Sequence, residues 1–251
     1  MNETAHREAG RRAGEIGSDP GRHGSPGESS GRSHLPIAAE GWPFIATCFA
    51  VATALAVAGI AWPAALWLAA VFALLGVFCA FFFRDPERTV PVDVDAIVSA
   101  ADGRVVQVAR EEHGTRVAIF LNIFDVHVNR SPYEGEVSSS SHTPGRFVPA
   151  SRDDAGRVNE RNELILTTRR GEIRVAQIAG LVARRIVCRV QSGDRMSKGE
   201  RFGLIRFGSR TELLLPPEAA PVVAVGDRVR GGESVVARFE DRARSPAGGD
   251  A

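Results

Sequence analysis

The chain has 251 residues, with 31 basic and 30 acidic side chains and a formal net charge of +1 at pH 7. This balance argues against a general polyanion binder, so no nucleic-acid partner is expected. The three cysteines, Cys48, Cys79 and Cys188, lack metal-ligand spacing, and we interpret them as buried free thiols.

Composition divides the chain into four segments. Residues 1–40 are polar and rich in Gly, Ser, Pro and Arg, and they hold too little apolar surface to offset the entropy lost on ordering. This segment is therefore predicted to be disordered. Residues 41–83 form a hydrophobic block, residues 84–242 have the composition of one globular domain, and residues 243–251 are predicted to be a flexible tail.

The hydrophobic block has no charged residue between positions 44 and 83. A bilayer-spanning helix needs about 20 apolar residues, so the block predicts a hairpin of two helices, at 44–61 and 63–83. The break lies near Gly59 and Pro63, and a proline suits the first turn of the second helix.

A hairpin places both of its flanks on one side of the membrane. Arginines precede the first helix, and Arg84 and Arg88 follow the second. The positive-inside bias therefore predicts attachment to the cell membrane, with the globular domain on the cytoplasmic face. A shallow re-entrant hairpin and a hairpin buried in a soluble protein remain as alternatives.

The globular domain is predicted to be mainly β, because β-rich runs alternate with Gly and Pro breaks. A turn motif occurs twice, 33 residues apart, with glycines at 193 and 199 in the first copy and at 226 and 232 in the second. The repeat predicts two similar hairpins in a barrel-sandwich-like β domain.

Such hairpins resemble those of lipoyl and biotinyl carrier domains. The alternative function is therefore a membrane-tethered binding or adaptor module without catalysis, with Lys198, the only lysine, at the hairpin tip. The residues beside Lys198 lack the pattern expected around a carrier lysine.

A Gly208-Ser209 pair interrupts a strand-like run, and a glycine there permits unusual backbone geometry. The pair alone is weak evidence, but it is the last of six short blocks that occur in a specific order. The blocks are 83–86 (FRDP), 99–103 (SAADG), 122–132 (NIFDVHVNRSP), 144–147 (PGRF), 159–162 (NERN) and 206–209 (RFGS). Together they resemble the short-type phosphatidylserine decarboxylase proenzymes, over about residues 83–239.

The resemblance implies that the hydroxyl of Ser209 attacks the carbonyl of Gly208 and cleaves the chain. The expected products are a large fragment, 1–208, and a small fragment, 209–251, that stay paired; a higher oligomer is possible. Ser209 becomes a covalent pyruvoyl group, whose ketone takes up the amine of phosphatidylserine in the membrane and assists its decarboxylation to phosphatidylethanolamine. No metal or nucleotide is expected.

The resemblance also implies an aspartate and a histidine acting with the serine. Asp102 matches the aspartate, and it is expected to orient or polarise the base. His127 matches the first of two family histidines, whereas the second position holds Arg130, which cannot act as a neutral base. Either His127 performs all the proton transfer, or His142 assists it. Arg130 is a possible ligand of the substrate phosphate or carboxylate.

A third possibility is a pyruvoyl enzyme that acts on a soluble amino acid. The hydrophobic block argues indirectly for the lipid, since a diacyl substrate stays in the bilayer.

Overall fold

The computed structural model describes residues 36–150, 155–181, 185–206 and 209–240. Most of the segment predicted to be disordered, the whole predicted tail and Gly208 lie outside the described residues.

Two apolar helices come first: α1 (Trp42–Ala58) and α2 (Ala65–Phe82) pack against each other as a hairpin. Both are long and apolar enough to cross a membrane, and most of their surface is not covered by protein. Trp67, Val71 and Leu74 are among the exposed large side chains. The second helix begins at Ala65 rather than at Pro63, because a tighter turn with hydrogen bonds three residues apart precedes it.

In the rest of the described chain the regular structure is almost all strand, joined by turns and loops, which confirms the mainly β prediction. A short helix, α3, spans Ala155–Val158. The fourteen strands named in the described residues are β1 (Ala96–Val98), β2 (Gly103–Glu111), β3 (Gly114–Leu121), β4 (Val128–Arg130), β5 (Gly135–Thr143), β6 (Arg161–Thr168), β7 (Gly171–Ile178), β8 (Ile186–Cys188), β9 (Arg195–Met196), β10 (Arg201–Ile205), β11 (Ser209–Leu215), β12 (Ala219–Pro221), β13 (Arg228–Val229) and β14 (Val235–Phe239).

The strands form one large, curled sheet and two small ones. The large sheet has the order β13-β2-β3-β11-β7-β6-β5-β9, and the small sheets have the orders β1-β14-β12 and β4-β10-β8. Antiparallel pairing joins every neighbouring pair. A buried apolar cluster fills the interior, to which β11 contributes Leu213 and Leu215.

The predicted repeat is present in the structure. The two turns begin at Gly193 (φ +94°) and Gly226 (φ +103°), and each glycine N–H donates to a strand carbonyl, of Val137 and Val105 respectively. Only glycine adopts these positive φ values without strain. Strands β9 and β13 follow the turns and occupy opposite edges of the large sheet.

Ser209 and the β6–β7 turn lie at opposite ends of the large sheet. At one end lie the start of β11 and the end of β3, where Ser209 pairs with Leu121. At the other end lies the β6–β7 turn, where Arg170 forms an ion pair with Asp95. The end of α2 lies near the first of these, because Phe82 and Phe83 pack with Leu204 of β10, five residues before Ser209 in the chain.

Candidate active site

Ser209 is the first residue of β11 and is fully buried. Its Oγ has no hydrogen-bond partner among the described residues. Leaving a buried hydroxyl unpaired costs about 1–3 kcal/mol, so native proteins rarely do so. An unpaired hydroxyl at this strand start is therefore a strong candidate for a reacting group.

His127 lies just before β4 and is 1% exposed. Its Nδ1 is 2.9 Å from the carbonyl oxygen of Asp125. A carbonyl can only accept, so Nδ1 carries the hydrogen of the neutral ring, and Nε2 is left with a free lone pair. Nε2 has no partner in the described part of the chain. The ring is thus set up to accept a proton at Nε2.

The surroundings of His127 keep its ring neutral. Burial lowers its pKa to about 4, and the positive charge of Arg84 acts in the same direction, while the Asp125 carbonyl opposes them. The ring of Phe82, the last residue of α2, covers the imidazole at a centroid distance of 4.2 Å. A side chain of the apolar hairpin therefore forms one wall of the candidate site.

Two backbone and side-chain contacts bring the segments of His127 and Ser209 together. The carbonyl of His127 accepts the N–H of Ile205 at 3.3 Å, four residues before Ser209. Two residues beyond His127, the Asn129 amide donates to Oγ1 of Thr211 at 3.2 Å, two residues beyond Ser209. These contacts hold β4 against the start of β11.

Asn129 belongs to a buried polar network that sequence reasoning missed. Its Oδ1 accepts from Nε2 of Gln177 at 2.9 Å, and Oε1 of Gln177 accepts from Asn162 at 3.3 Å. The sheet register explains the arrangement, since Thr211 is opposite Gln177 and Gln177 is opposite Asn162. A connected network of this kind fixes the relative position of the strands that carry the site.

His142 occupies the outer end of the same row of residues. It is opposite Asn162 on β5, its side chain is about half exposed, and its Nε2 is 3.8 Å from Glu160. Three strand spacings separate β5 from β11 in the sheet order, which amounts to about 14 Å. The structure thus places His142 away from Ser209, and an assisting role for His142 stays a prediction.

Asp102 contacts one arginine and a backbone amide rather than the histidine. Its carboxylate accepts two hydrogen bonds from Arg88, at 2.8 and 3.0 Å, and one from the Gly231 N–H at 2.8 Å. Burial raises its pKa, while Arg88 and the Gly231 N–H oppose that shift. The Asp125 carbonyl, not Asp102, holds Nδ1 of His127. Orientation of the ring by Asp102 stays a prediction, and any influence on His127 acts at a distance.

Arg130 is buried, and its guanidinium donates hydrogen bonds to other groups of the protein. It donates to Asp85 at 3.0 Å, to the Pro86 carbonyl at 2.9 Å and to the Gly199 carbonyl at 3.1 Å. Asp85 also accepts from Arg201 at 2.6 Å. These contacts favour a structural role, in which Arg130 ties the segment after α2 to β4. The substrate-binding role that the sequence left possible stays a prediction.

The ammonium of Lys198 is held against the protein, whereas the lysine of a carrier domain would project into solvent. Its ammonium donates to the backbone carbonyls of Asp93 and Ala96 and lies 5.8 Å from the centre of the Tyr133 ring. These contacts hold the hairpin tip against the domain, which argues against the carrier alternative.

Comparisons with known proteins agree with the order of motifs. A family model described as phosphatidylserine decarboxylase matches residues 75–237. The chain is also 46% identical over 211 residues to the phosphatidylserine decarboxylase proenzyme of Geobacter metallireducens, an alignment that covers 81% of this chain and 97% of that protein. The matched region contains Asp102, His127 and Ser209. This chain therefore belongs to the phosphatidylserine decarboxylase family and is an enzyme of the decarboxylase class.

Proposed function

We propose that the chain cleaves itself before Ser209 and then decarboxylates phosphatidylserine at the membrane surface, giving phosphatidylethanolamine. The observation that carries the proposal is a pair of buried atoms, Oγ of Ser209 and Nε2 of His127, for which the described residues offer no hydrogen-bond partner. One is a nucleophile and the other is a neutral base.

The proposed self-cleavage uses groups of the chain and, in its last step, one molecule of water. Oγ of Ser209 attacks the carbonyl carbon of residue 208 and gives up its proton to Nε2 of His127. Breakage of the peptide C–N bond, with a proton returned to the nitrogen, leaves residue 208 attached to Ser209 as an ester. A base then takes the α-proton of Ser209, the Cβ–O bond breaks, and the carboxylate of residue 208 leaves, so that position 209 becomes dehydroalanine. Water adds, ammonia leaves, and the new N-terminus of the small fragment is a pyruvoyl group.

The described residues fit such a group. Ser209 is buried, and Nε2 of His127, on a segment that is hydrogen-bonded to the residues before and after Ser209, has no partner among the described residues. A pyruvoyl ketone supplies an electron sink for loss of carbon dioxide from an amino acid head group. His127 is the residue proposed to hold and return the proton during that reaction, and Phe82 is proposed to exclude water from it.

The strand order supports continued pairing of the fragments after cleavage. Strand β11 of the small fragment lies between β3 and β7 of the large fragment, and β13 and β14 pair with β2 and β1. Breaking one peptide bond before β11 leaves all these ladders and the apolar core intact. The fragments are therefore expected to separate only when the protein unfolds.

The position of the site supports a lipid substrate. The helix ends reach the Ser209 end of the large sheet, and Phe82 contacts His127 directly. Beside Asp102, a polar cleft of about 570 Å³ is lined by Asp125, Arg228 and Arg230 among others, which gives room for a charged head group. A site next to a membrane anchor meets its lipid at high effective concentration.

An assay with two substrates tests this proposal. The purified chain in phospholipid vesicles is supplied with phosphatidylserine labelled in the serine carboxylate, and in a parallel reaction with free labelled serine. We expect labelled carbon dioxide from the lipid and little from free serine. Equal turnover of free serine would support the soluble amino acid as substrate, and release from neither would contradict a decarboxylase role.

A further inference from the structure

A turn of the β domain carries two exposed apolar side chains close to the helix ends. Residues 122–125 connect β3 to the segment of His127, and in this turn Ile123 is 41% exposed and Phe124 is 64% exposed. Neither side chain belongs to a core cluster of the described residues. We call residues 122–125 the apolar turn.

Hydrogen bonds made by its flanking polar residues close the apolar turn. The Asn122 N–H donates to Asp125 at 2.9 Å, the Phe124 N–H donates to Oδ1 of Asn122 at 2.7 Å, and the Asp125 N–H donates to the Asn122 carbonyl at 3.0 Å. Three of the four backbone N–H groups of the turn are thus bonded within it, and Ile123 and Phe124 lie exposed at its tip.

Both ends of the helical hairpin contact the apolar turn or its neighbour. Just after α2, Arg84 donates one N–H to the Phe81 carbonyl at 2.8 Å and another to the Phe124 carbonyl at 2.6 Å. Just before α1, Ala38 packs in a buried cluster with Val126. The tip is therefore continuous with the exposed apolar surface of the helices.

The charge around the apolar turn is suited to an anionic surface. Arg228 is about 70% exposed, and its guanidinium is 4.0 Å from Asp125. Arg84 is a second arginine at the turn, where it donates to the Phe124 carbonyl. Arginines at the head-group level, with aromatic and aliphatic side chains below them, are typical of proteins bound at a bilayer interface.

We propose that the apolar turn is a membrane contact in addition to the two helices of the hairpin, in which Ile123 and Phe124 enter the interface of a bilayer containing anionic phospholipid. The insertion is shallow, because irregular backbone is not tolerated in the hydrocarbon core. Leu121 pairs with Ser209 on one side of the turn, and His127 follows on the other. Contact with the bilayer at this turn therefore fixes the height of the reacting groups above the lipid. The inference rests on the membrane-bound substrate proposed above.

Fluorescence at the tip tests the proposal independently of catalysis. In the full-length Ser209→Ala chain, Cys48, Cys79 and Cys188 are replaced by Ala, Phe124→Cys is added, and the new thiol is labelled with an environment-sensitive dye. The protein is reconstituted in vesicles of phosphatidylcholine and phosphatidylglycerol, with spin-labelled lipids as quenchers. The matched control is Val92→Cys, because Val92 is 97% exposed and lies three residues from Asp95, at the opposite end of the large sheet.

We expect a blue shift and a several-fold intensity gain at position 124, with stronger quenching by a spin label near the head group than by one deep in the acyl chain. The dye at position 92 should show neither effect. Identical, water-like spectra at both positions would overturn the proposal. A blue shift at 124 without lipid quenching, dependent on protein density, would mean that a second copy covers the turn and would also overturn it. Because Ser209→Ala cannot self-process, none of these outcomes depends on the proposed reaction.

Discussion

The ring of Phe82 lies over the imidazole of His127, tilted by 37° with the ring centroids 4.2 Å apart. One residue ends a helix fit to cross a membrane, and the other is the candidate base of the active site. The hairpin therefore forms part of the wall of the site, and Phe82 contributes to the burial that lowers the pKa of His127.

Removing that ring should change the pH dependence of self-cleavage. His127 has a pKa of about 4 and is a base only when neutral, so cleavage should persist below pH 6 and fail near pH 4. Phe82→Ala lets water reach the imidazole and should move the acid limb upward by about one unit, toward the ordinary value. Cleavage rates measured across pH on protein refolded from denaturant check this. Phe49→Ala, which removes an exposed ring from the same hairpin, should leave the limb in place; an unmoved limb in Phe82→Ala would contradict the account.

Asp102 is expected to influence the pKa of His127 through the charge of its carboxylate. Its carboxylate offsets the positive charge of Arg84, which itself lowers the pKa of His127. Asp102→Asn keeps the shape and leaves Arg84 less compensated, so His127 should become a weaker base. We expect slower self-cleavage and an acid limb shifted to lower pH. Glu233→Gln removes another carboxylate that pairs with Arg88 and serves as the matched control; equal effects of the two substitutions would reduce the role of Asp102 to holding Arg88.

The buried polar network should contribute both stability and position. Thr211→Val keeps the shape of the side chain but removes the acceptor of the Asn129 amide. Loss of a buried acceptor should lower the free energy of unfolding by about 1–3 kcal/mol and slow self-cleavage. Urea unfolding in a Ser209→Ala background measures the first effect, and the cleavage rate of the single variant measures the second. Thr115→Val, at another buried threonine in the same sheet, is the control, and equal loss at both sites would argue against a positioning role.

Arg130 provides a test between a structural and a substrate-binding role. Removing one partner of a buried ion pair typically costs about 3–5 kcal/mol, so Arg130→Ala should destabilise the chain, since Asp85 loses a buried partner. The fraction of Arg130→Ala protein that folds should show an unchanged KM for phosphatidylserine. Arg195→Ala, at an 84% exposed side chain, should change stability by less than about 1 kcal/mol. A stable Arg130→Ala protein with a raised KM would instead support substrate binding.

The sequence predicts the elements better than it predicts their contacts. The helical hairpin follows from forty uncharged residues, and the repeat of turns follows from paired glycines that the structure places at positive φ. Both signals are local, because hydropathy and turn chemistry depend on neighbouring residues. The start of α2 was predicted two residues early because Pro63 initiates a tighter turn before the helix begins.

The arrangement around the site depends on pairings between distant segments. Gln177 meets Thr211 because β7 pairs with β11 in one particular register, and a shift of one residue would turn both side chains to the opposite face. The contact of Phe82 with His127 depends in the same way on how the hairpin packs on β10. The order of the motifs identified Ser209, His127 and Asp102 as candidates. It could not show that Asp102 forms an ion pair with Arg88, or that Arg130 forms one with Asp85.

The most direct test of the central claim is the mass of the purified chain, with and without the Ser209 hydroxyl. We predict that wild-type protein runs as one species in native conditions and as two fragments in denaturant, the smaller beginning at position 209 with a group that reacts with carbonyl-directed reagents. Ser209→Ala should remain a single chain and release no carbon dioxide from phosphatidylserine, whereas Ser197→Ala, at an exposed serine, should behave as wild type. An intact wild-type chain that still decarboxylates the lipid, or an active Ser209→Ala protein, would contradict the account.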